Sequence, residues 1–575
     1  MAIFHPDPVS PPQARRSLTG ARWVVVPPVA GGLPGALGQL LATRGYTTAL
    51  QVDEFLHAEL SQLPDPYLLP DMAAAVAAVE ETLASGGKIR IFGDYDADGI
   101  TATALLCRAL GGLGGVVDWY IPHRVDDGYG LNSEALDLAH ADGVALGITV
   151  DNGIMAHEPL AHARELGLKM IVTDHHEPGD TLPPAVAVLN PKRADSVYPS
   201  RELAGVGVAF TLLRALCAGR GLPPTVAARF LDLVTVGTVA DVVPLVGENR
   251  MLVRHGLPML TPQSKKLGMG ALLRAVGITK ATSSGDVGFQ IGPRLNAAGR
   301  IAFAGEALNL LLTKDATEAE ALAAQLCAHN AERQEEEKRV LESALAQVAL
   351  CNLSREKALV LASPDWHPGV IGIVASRIVE RFNRPCALIS LADGVGKGSA
   401  RARAPFHLWE ALRDCTALLN RFGGHRVAAG FEVDEENIPA FRAQMLAIAA
   451  DTLTDDDLHP SINVDGWLDL DEVTTPFARQ LEELAPFGMG NPTPIFAVAD
   501  AEVQSTIRRG ADGAHLSLTL RTAPGARPIN AIWFRQGEQQ QHIRQGTHVD
   551  VAFTIGLNTW QDVTTAQLVV KDVLV

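Results

Sequence analysis

Cysteines are few in this sequence, and none are clustered. The six of them are scattered through 575 residues without a CxxC pair or a close repeat: Cys107, Cys217, Cys327, Cys351, Cys386 and Cys415. Disulfide frameworks and structural zinc sites use closely spaced cysteines, so this distribution favours neither. Isolated cysteines of this kind are typical of reduced, mostly buried thiols in a cytosolic protein.

The sequence also lacks an apolar run that suits a secretion signal or a membrane span. Its N-terminus, MAIFHPDPVSPPQARR, contains no apolar segment behind a basic start. The most apolar early stretch, 23–42, is broken by three prolines and four glycines. We therefore expect a cytoplasmic protein without a membrane contact.

Positive charge is in deficit, with 48 Lys and Arg against 65 Asp and Glu and a net charge of −17. This balance argues against a general nucleic-acid coat protein, because sequence-independent DNA binding draws on clustered Lys and Arg. It does not exclude an enzyme that gathers its cations in one channel and uses some carboxylates as metal ligands. The length and the ordinary globular composition predict several domains.

Apolar, β-branched segments alternate with helical ones in the first half of the chain. The predicted strands are 88–92, 116–122, 144–150, 168–173 and 185–190. This alternation predicts βαβ units and a parallel sheet. Two apolar helices are predicted after the sheet, over about 205–220 and 225–243. The proline-rich residues 1–75 are predicted to form an N-terminal appendage.

The second half begins with a predicted long helix over 316–352, where Thr317 and Glu320 match a capping box. Its charged middle, AERQEEEKRV, predicts a solvated centre, as in a helix that bridges two lobes. A second α/β unit follows over 353–455, and short alternating strands over 456–575 predict a small β-barrel. The fold class is therefore α/β: a parallel-sheet domain over 76–315, the long helix, a second α/β domain and a β-barrel.

Acidic and imidazole side chains follow three of the predicted strands where each strand ends. They are Asp94, Asp96 and Asp98 after the first strand, Asp151 after the third, and Asp174, His175 and His176 after the fourth. Because the carboxyl ends of parallel strands meet at one edge of a sheet, we expect these side chains to converge. A further carboxylate, Asp241, lies in an apolar helical run, where burial without a partner is costly.

Each cluster alone has an ordinary explanation, since a DG or NG after a strand is usually a turn and a His pair is usually structural. Together, the carboxylates would repel one another unless cations were present. Carboxylates with imidazoles and no thiolate suit Mn²⁺ or Mg²⁺, and their excess indicates two ions. Such a pair activates water and stabilises a leaving oxygen, so phosphoester hydrolysis is the leading chemistry.

These segments resemble the motifs of the DHH phosphoesterase superfamily. The segments are DYDADG (94–99), DNG (151–153), DHH (174–176) and AD (240–241). GSARA (398–402) and FGGHRVAAGF (422–431) are similar to the DHHA1 domain that accompanies it. Four further segments are similar to the RecJ family: IPHRVDDGYGLN (121–132), GPRLNAAGR (292–300), WHPGVIGIVASR (366–377) and PFGMGNPTP (486–494). The resemblance covers about residues 76–575.

The resemblance implies a ligand set for two ions, Mn²⁺ or Mg²⁺. The implied ligands are Asp96, Asp98, Asp151, His175 and Asp241, with Asp151 bridging. Asp94 and His176 are the implied catalytic residues beside them, orienting ligands or water. Related pyrophosphatases begin the first motif with a ligand His where this sequence has Phe92, so the full ligand set of the first ion stays open.

The resemblance also implies residues that hold DNA. Arginine suits bidentate phosphate binding, and the barrel resembles an OB-fold, which stacks bases on aromatic side chains. The implied DNA-binding residues are Arg124, Arg294, Arg300, Ser376, Arg377, Arg401, Gly424, His425, Trp533 and Trp560. Taken singly, each Arg is more often a surface residue, and core packing is the commoner role for at least one of the aromatic residues.

The implied function is a 5′→3′ exonuclease that releases 5′-mononucleotides from single-stranded DNA in recombination and repair. The implied domains are DHH (76–315), a connecting helix (316–352), DHHA1 (353–455) and an OB-fold (456–575), enclosing a channel for one strand. We expect a monomer that acts with a helicase and a single-stranded-DNA-binding protein. The alternatives are a nanoRNase or cyclic-dinucleotide phosphodiesterase, which usually lacks the OB-fold, and an inactive Cdc45-like replication scaffold, against which the intact ligand motifs count.

Overall fold

The computed structural model describes residues 15–30, 32–122, 130–279 and 281–575. The helices are α1 Gly35–Thr43, α2 Ala49–His57, α3 Met72–Ser85, α4 Ala97–Gly112, α5 Ser133–Ala141, α6 His157–Glu165, α7 Gly205–Gly219, α8 Thr225–Ala228, α9 Leu231–Ala240, α10 Gly247–Gly256, α11 Leu267–Val276, α12 Ser284–Asp286, α13 Gly292–Ile301, α14 Gly305–Leu312, α15 Ala316–Val348, α16 Ile371–Phe382, α17 Leu408–Asp414, α18 Ile438–Thr452 and α19 Thr475–Glu482. The strands are β1 Arg22–Val25, β2 Lys88–Phe92, β3 Val116–Tyr120, β4 Val144–Val150, β5 Lys169–Thr173, β6 Ala187–Leu189, β7 Leu359–Ser363, β8 Cys386–Ala392, β9 Val395–Arg401, β10 Arg421–Gly424, β11 Ala428–Asp434, β12 Ser461–Val464, β13 Gly466–Trp467, β14 Phe496–Arg509, β15 His515–Arg521, β16 Ile529–Trp533, β17 His548–Trp560 and β18 Val563–Leu574. Among these described helices, none has the length and apolarity that crossing a membrane requires.

The chain divides into two compact units. Of the described residues, those within 58–338 and 486–492 form the central unit, and those within 15–57, 339–485 and 493–575 form the flanking unit. The residues of α15 are shared between the units, with the division at Lys338 and Arg339.

A five-stranded parallel sheet, in the order β3-β2-β4-β5-β6, forms the middle of the central unit. The sequence predicted all five of its strands. The chain leaves β2 for β3 on one side and then returns to β4 on the other, which makes β2 and β4 neighbours. This reversal of strand order opens a crevice at the carboxyl ends of β2 and β4, where ligands bind in open α/β sheets.

Helices cover both faces of this sheet. One face packs with α3, α4, α7 and α9 in the largest hydrophobic core, and the other packs with α5 and α6 in a smaller one. The predicted helix over 205–220 is α7. The helix predicted over 225–243 is wrong as a single element, because the chain forms the short α8 and then begins again at Leu231 as α9.

The long helix α15 is present, but its capping and its centre differ from the prediction. Asp315, rather than Thr317, accepts the Glu318 amide at 2.8 Å, while Glu320 pairs with Arg274. Part of the charged middle is buried: the Arg333 guanidinium donates to Glu337 one turn later at 2.9 Å and to Asn330 one turn earlier at 3.1 Å. Because this spacing pairs two buried charges within the helix, the solvated centre predicted for 331–340 is wrong for this face.

The flanking unit contains the second α/β sheet, in the order β10-β11-β9-β8-β7. Its β7–β8 pair is parallel and its other pairs are antiparallel. It also contains the barrel, in which β14, β15, β16, β18 and β17 follow one another and β14 pairs again with β17. Closure of these five strands confirms the predicted β-barrel, and the two sheets with their helices confirm the predicted α/β class.

The start of the described chain is attached to the barrel. The buried carboxylate of Asp572 accepts hydrogen bonds from the Ser17 hydroxyl, the Thr19 amide and the Trp23 indole at 2.6 to 3.1 Å. Three donors satisfy a charge that would otherwise be costly to bury. Residues 17–23 therefore lie against β18 within the flanking unit and are hydrogen-bonded to it.

Candidate active site

The first group of acidic side chains lies between β2 and α4. Asp96 caps α4, and its Oδ1 accepts the amides of Asp98 at 2.9 Å and Gly99 at 3.1 Å. Asp98 is buried, and its two oxygens accept the amides of Gly205 at 2.6 Å and Val206 at 2.9 Å at the start of α7. The positive end of α7 therefore holds Asp98 in place.

Asp151 follows β4 and also lies against the start of α7, beside Gly205. Its backbone has a φ of 63°, a left-handed conformation that is uncommon for a residue other than glycine. A Cβ on Gly205 would lie 2.6 Å from Asp151 Oδ1, so only glycine allows α7 to begin here. Such strain is retained where a side chain must be aimed, and here it aims a buried carboxylate into the crevice.

The third group follows β5 and is organised by Asp174. The Asp174 Oδ1 accepts the amides of His175 and His176 and pairs with His176 Nδ1 at 2.7 Å, and its Oδ2 accepts the Ile154 amide at 2.9 Å. Although burial acts in the opposite direction, the hydrogen bond to His176 holds the pKa of Asp174 below its usual value. The same bond outweighs burial at His176 and raises the pKa of that imidazole. Asp174 thus fixes both histidines, a role that the sequence did not assign to it.

Asp241 completes the cluster at the end of α9. The His175 Nε2 lies 3.1 Å from Asp151 Oδ1 and 3.6 Å from Asp241 Oδ2. Three sets of potential ligands each fit within 4.8 Å: Asp94, Asp96 and Asp151; Asp98, His175 and Asp241; and Asp151, His175 and His176. The structure therefore brings together all seven residues that the sequence predicted for the ions and for catalysis, and Asp151 belongs to two of the sets.

The electrostatics of this cluster favour bound cations. Burial, followed by the charge of Asp96, raises the pKa of Asp98 to about 7. Burial and the charge of Asp98 raise the pKa values of Asp151 and Asp241 well above the usual value for aspartate. Burial and the neighbouring His176 lower the pKa of His175 to about 3, which keeps its imidazole neutral, the form that binds metals.

These residues fit divalent ions. The three ligand sets consist of five aspartates and two histidines, so their donors are carboxylate oxygen and imidazole nitrogen. This donor chemistry suits Mn²⁺ and Mg²⁺. Phe92 takes no part through its side chain, which is buried in the core beside Tyr120. Its carbonyl accepts a hydrogen bond from the side-chain Nδ2 of Asn152 at 3.1 Å, which connects the end of β2 to the loop after β4.

The predicted DNA-binding residues of the central unit lie on α13. Arg294 donates to the Gln290 carbonyl at 2.7 Å and to Cys327 Sγ at 3.3 Å, so its guanidinium is partly engaged within the unit. Arg300 lies near the end of the same helix and is half-buried. Arg124 lies outside the described residues.

Five other predicted residues lie in the second α/β domain of the flanking unit. Ser376 and the exposed Arg377 are on α16, which packs on β9. Arg401 ends β9 opposite Ala428, and its Nη2 lies 2.9 Å from the Cβ that Gly372 of α16 would carry. Gly424 and the exposed His425 are at the β10–β11 turn that Ala428 closes. The structure thus brings α16, Arg401 and this turn to one region of the domain.

The two predicted base-stacking residues have different environments. Trp560 is 73% exposed at the tip of the β17–β18 hairpin. Trp533 is 3% exposed and points into the barrel on β16 beside Ala531. The prediction that Trp533 stacks a base is therefore wrong, because a buried ring cannot reach DNA. Its neighbour Phe534 is 55% exposed.

The parallel-sheet unit with its carboxylate and imidazole crevice, the second α/β domain and the closed barrel define a phosphoesterase architecture of the DHH–DHHA1 class. Family models match in the same order: the N-terminal domain of the DHH family over 88–238, the DHHA1 domain over 355–451 and the RecJ OB domain over 464–572.

Two bacterial relatives and one crystal structure place the chain more narrowly. The single-stranded-DNA-specific exonuclease RecJ of Bacillus subtilis is 39% identical over 94% of this chain and 68% of its own length. The RecJ of Escherichia coli is 35% identical over 94% of this chain and 96% of its own length. The crystal structure of Thermus thermophilus RecJ with Mn²⁺ superposes with a TM-score of 0.82 at 37% identity, covering 97% of this chain and 80% of that one. The chain belongs to the RecJ family.

Proposed function

We propose that this chain is a metal-dependent 5′→3′ exonuclease that hydrolyses single-stranded DNA to 5′-mononucleotides. The observation that carries the proposal is the cluster of seven carboxylate and imidazole side chains at the edge of the sheet, in which Asp151 and His175 each belong to two of the three ligand sets. The relatives are single-stranded-DNA-specific exonucleases, which supports the substrate, and the polarity rests on the resemblance of the motifs. Two bound Mn²⁺ or Mg²⁺ ions supply an activated water and neutralise charge on the phosphate.

The proposed roles of the residues follow from their contacts. Asp96, Asp98, Asp151, His175 and Asp241 would hold the ions, and Asp151, which belongs to two of the three ligand sets, is the candidate for a shared ligand. Asp98 is fixed by the start of α7, so it does not need to move when phosphate binds. His176 is held through its Nδ1 by Asp174. His176 and Asp94 are the residues proposed to orient ligands or water beside the ions.

The proposed domains are DHH (76–315), the connecting helix (316–352), DHHA1 (353–455) and OB (456–575), preceded by the appendage (1–75). The phosphate-binding residues proposed for this chain are Arg124, Arg294, Arg300, Ser376, Arg377, Arg401, Gly424 and His425. In the cell we propose a cytoplasmic monomer that acts in recombination and repair with a helicase and a single-stranded-DNA-binding protein.

A degradation assay with end-labelled single strands tests the function. With Mn²⁺ present, a 5′ label should appear at once in mononucleotides, while a 3′ label should pass through progressively shorter fragments. Release of the 3′ label first would reverse the proposed polarity. Internal cleavage of a circular strand would contradict an exonuclease.

Phosphate binding is tested by the salt dependence of DNA affinity. Arg377→Ala should weaken binding of single-stranded DNA and make the slope of log affinity against log salt shallower by about 0.7, the change expected for one lost contact to a single strand. The matched control is Arg413→Ala, which removes an exposed arginine that pairs with Asp414 in the same domain. Measurements should use Ca²⁺ in place of Mn²⁺ to prevent hydrolysis. Equal slopes for both variants would remove Arg377 from the binding residues.

The two tryptophans of the barrel should respond in opposite ways. Trp560→Ala should weaken binding of single-stranded DNA by about 1–3 kcal/mol through the loss of one stacked base, with an unchanged unfolding temperature. Trp533→Ala should instead cost about 3–5 kcal/mol of stability, because it leaves a cavity in the barrel. Fluorescence anisotropy of labelled DNA and thermal unfolding measure the two effects. Unchanged DNA binding by Trp560→Ala would show that the hairpin tip does not stack a base.

A further inference from the structure

Helix α13 contacts the loop that carries the first metal ligands. The side-chain Oδ1 of Asn296 accepts a hydrogen bond from the backbone amide of Ala97 at 2.7 Å. Ala97 is the first residue of α4 and is 1% exposed, and the ligands Asp96 and Asp98 lie on either side of it. A residue almost 200 positions away in sequence therefore satisfies a buried amide between two metal ligands.

Through this hydrogen bond, Asn296 and Asp96 together cap the N-terminus of α4. The first amides of a helix have no partner within the helix, and here they are those of Ala97, Asp98 and Gly99. Asp96 Oδ1 accepts two of them, and Asn296 accepts the third. Without Asn296, the Ala97 amide would compete for the carboxylate of Asp96, which the ion also needs.

A second residue of α13, one helical turn after Asn296, also contacts the loop between β2 and α4. A Cβ on Gly299 would lie 2.5 Å from the carbonyl oxygen of Tyr95, so glycine is required for the helix to pack this closely. Asn296 and Gly299 are three residues apart and share one face of α13. The two contacts bracket Asp96, at Ala97 on one side and at Tyr95 on the other.

We infer that Asn296 is a positioning residue that sets the metal affinity of the site through Asp96 and Asp98, supported by the close packing of Gly299. The inference rests on the proposed function insofar as the cluster binds divalent ions. Because α13 also carries Arg294 and Arg300, one helix links candidate phosphate-binding side chains to the metal loop.

Direct Mn²⁺ binding tests this role without any DNA. The electron paramagnetic resonance signal of free Mn²⁺ is titrated against the full chain as wild type, Asn296→Ala and Asn296→Asp. We expect Asn296→Ala to raise the Mn²⁺ dissociation constant about 10- to 100-fold, the usual effect of removing a residue that orients metal ligands. Asn296→Asp keeps an acceptor oxygen of the same reach and should bind Mn²⁺ at least as tightly as the wild type.

The matched control is Asn132→Ala. The Oδ1 of Asn132 caps α5 by accepting the Ala135 amide at 2.8 Å, and α5 carries no proposed ligand. Both alanine variants lose one capping bond and should lose similar stability, but only Asn296→Ala should bind Mn²⁺ more weakly. If Asn296→Ala does not fold, Gly299→Ala replaces it, with the same expected direction.

Two results separate failure of the inference from failure of the proposed function. Tight Mn²⁺ binding by the wild type with equally tight binding by Asn296→Ala, or equal weakening by Asn132→Ala, would overturn the positioning role. Absence of Mn²⁺ binding by the wild type would remove the metal-dependent mechanism itself. Weakened binding in a chain that does not degrade DNA would support the positioning role and reject only the exonuclease.

Discussion

Asp151→Asn is expected to lose hydrolysis and to gain stability as the metal-free protein. The side chain is buried, belongs to two ligand sets and lies 3.1 Å from His175 Nε2. Removing one charged ligand from a shared position forfeits several kcal/mol of stabilisation of the phosphoryl charge. A loss of about 4 kcal/mol slows turnover about 10³-fold.

Although Asp151→Asn should lose activity, the metal-free variant should be more stable than the wild type, because the ionised carboxylate of Asp151 is unfavourable without a cation. Burial and the charge of Asp98 raise the pKa of Asp151 well above its usual value. The stabilising contribution of Asp151 itself is therefore fully present below its unfolded-state pKa, about 3.9, and is lost as the pH rises through its folded-state pKa. The neutral amide of Asp151→Asn removes this loss at alkaline pH.

The measurement is thermal unfolding at pH 8 with a chelator and with Mn²⁺, alongside turnover of single-stranded DNA. In chelator, Asp151→Asn should unfold at least about 2 °C above the wild type, the shift that 1 kcal/mol produces in a domain of 150–250 residues. Mn²⁺ should stabilise the wild type strongly and the variant weakly. The control is Asp137→Asn, which changes an exposed aspartate on α5 and should leave both temperatures and turnover unchanged. Turnover near the wild-type value in Asp151→Asn would mean that the assigned ligand set is wrong.

The sequence predicted the convergence of the ligands because of one property of parallel sheets. Asp94, Asp151 and His175 each follow a strand that runs in the same direction, so their positions at one edge are a consequence of topology. The alternation of strands and helices was sufficient to predict that topology. Six of the seven site residues follow strands in this way, whereas Asp241 lies at the end of α9 and was assigned through the resemblance to the DHH motifs.

The sequence did not predict which helix completes the site. Gly205 and Val206 supply two amides to Asp98, more than 100 residues earlier in the chain. Asn296, on the separate helix α13, accepts a hydrogen bond from the Ala97 amide. Contacts of this kind depend on how helices pack across the sheet, and they cannot be predicted from the pattern of residues within one segment. The glycine at the start of α7 was a visible signal, but its significance requires knowledge of its neighbour Asp151.

The error at Trp533 was avoidable from the sequence. Side chains alternate between the two faces of a strand, so Trp533 shares a face with Ala531, while Ile532 and Phe534 share the other. In the segment INAIWF (529–534), this alternation separates Ala531 and Trp533, which face the barrel core, from Ile532 and Phe534 on the other face. Trp560 differs because it comes directly before the turn at Gln561 and Asp562, where a hairpin leaves the barrel.

Blunt duplex DNA is expected to resist digestion at least about 10³-fold relative to a single strand. The proposed stacking on Trp560 requires an unpaired base with both faces free. Threading a duplex end into a single-strand site requires opening base pairs at about 1.4 kcal/mol per step. Three opened steps cost about 4 kcal/mol, which corresponds to about three orders of magnitude in the population of the open end.

A duplex with a single-stranded 5′ extension of 20 nucleotides provides the matched substrate. Because the extension supplies unpaired bases, it should be digested at the rate of a free strand until the junction is reached, and the remaining duplex should persist. A duplex with a 3′ extension of the same length controls for polarity and should resist digestion as the blunt duplex does. Digestion of the blunt duplex at a rate within tenfold of the single strand would show that base opening is not required, and the proposed single-strand specificity would then have to be abandoned.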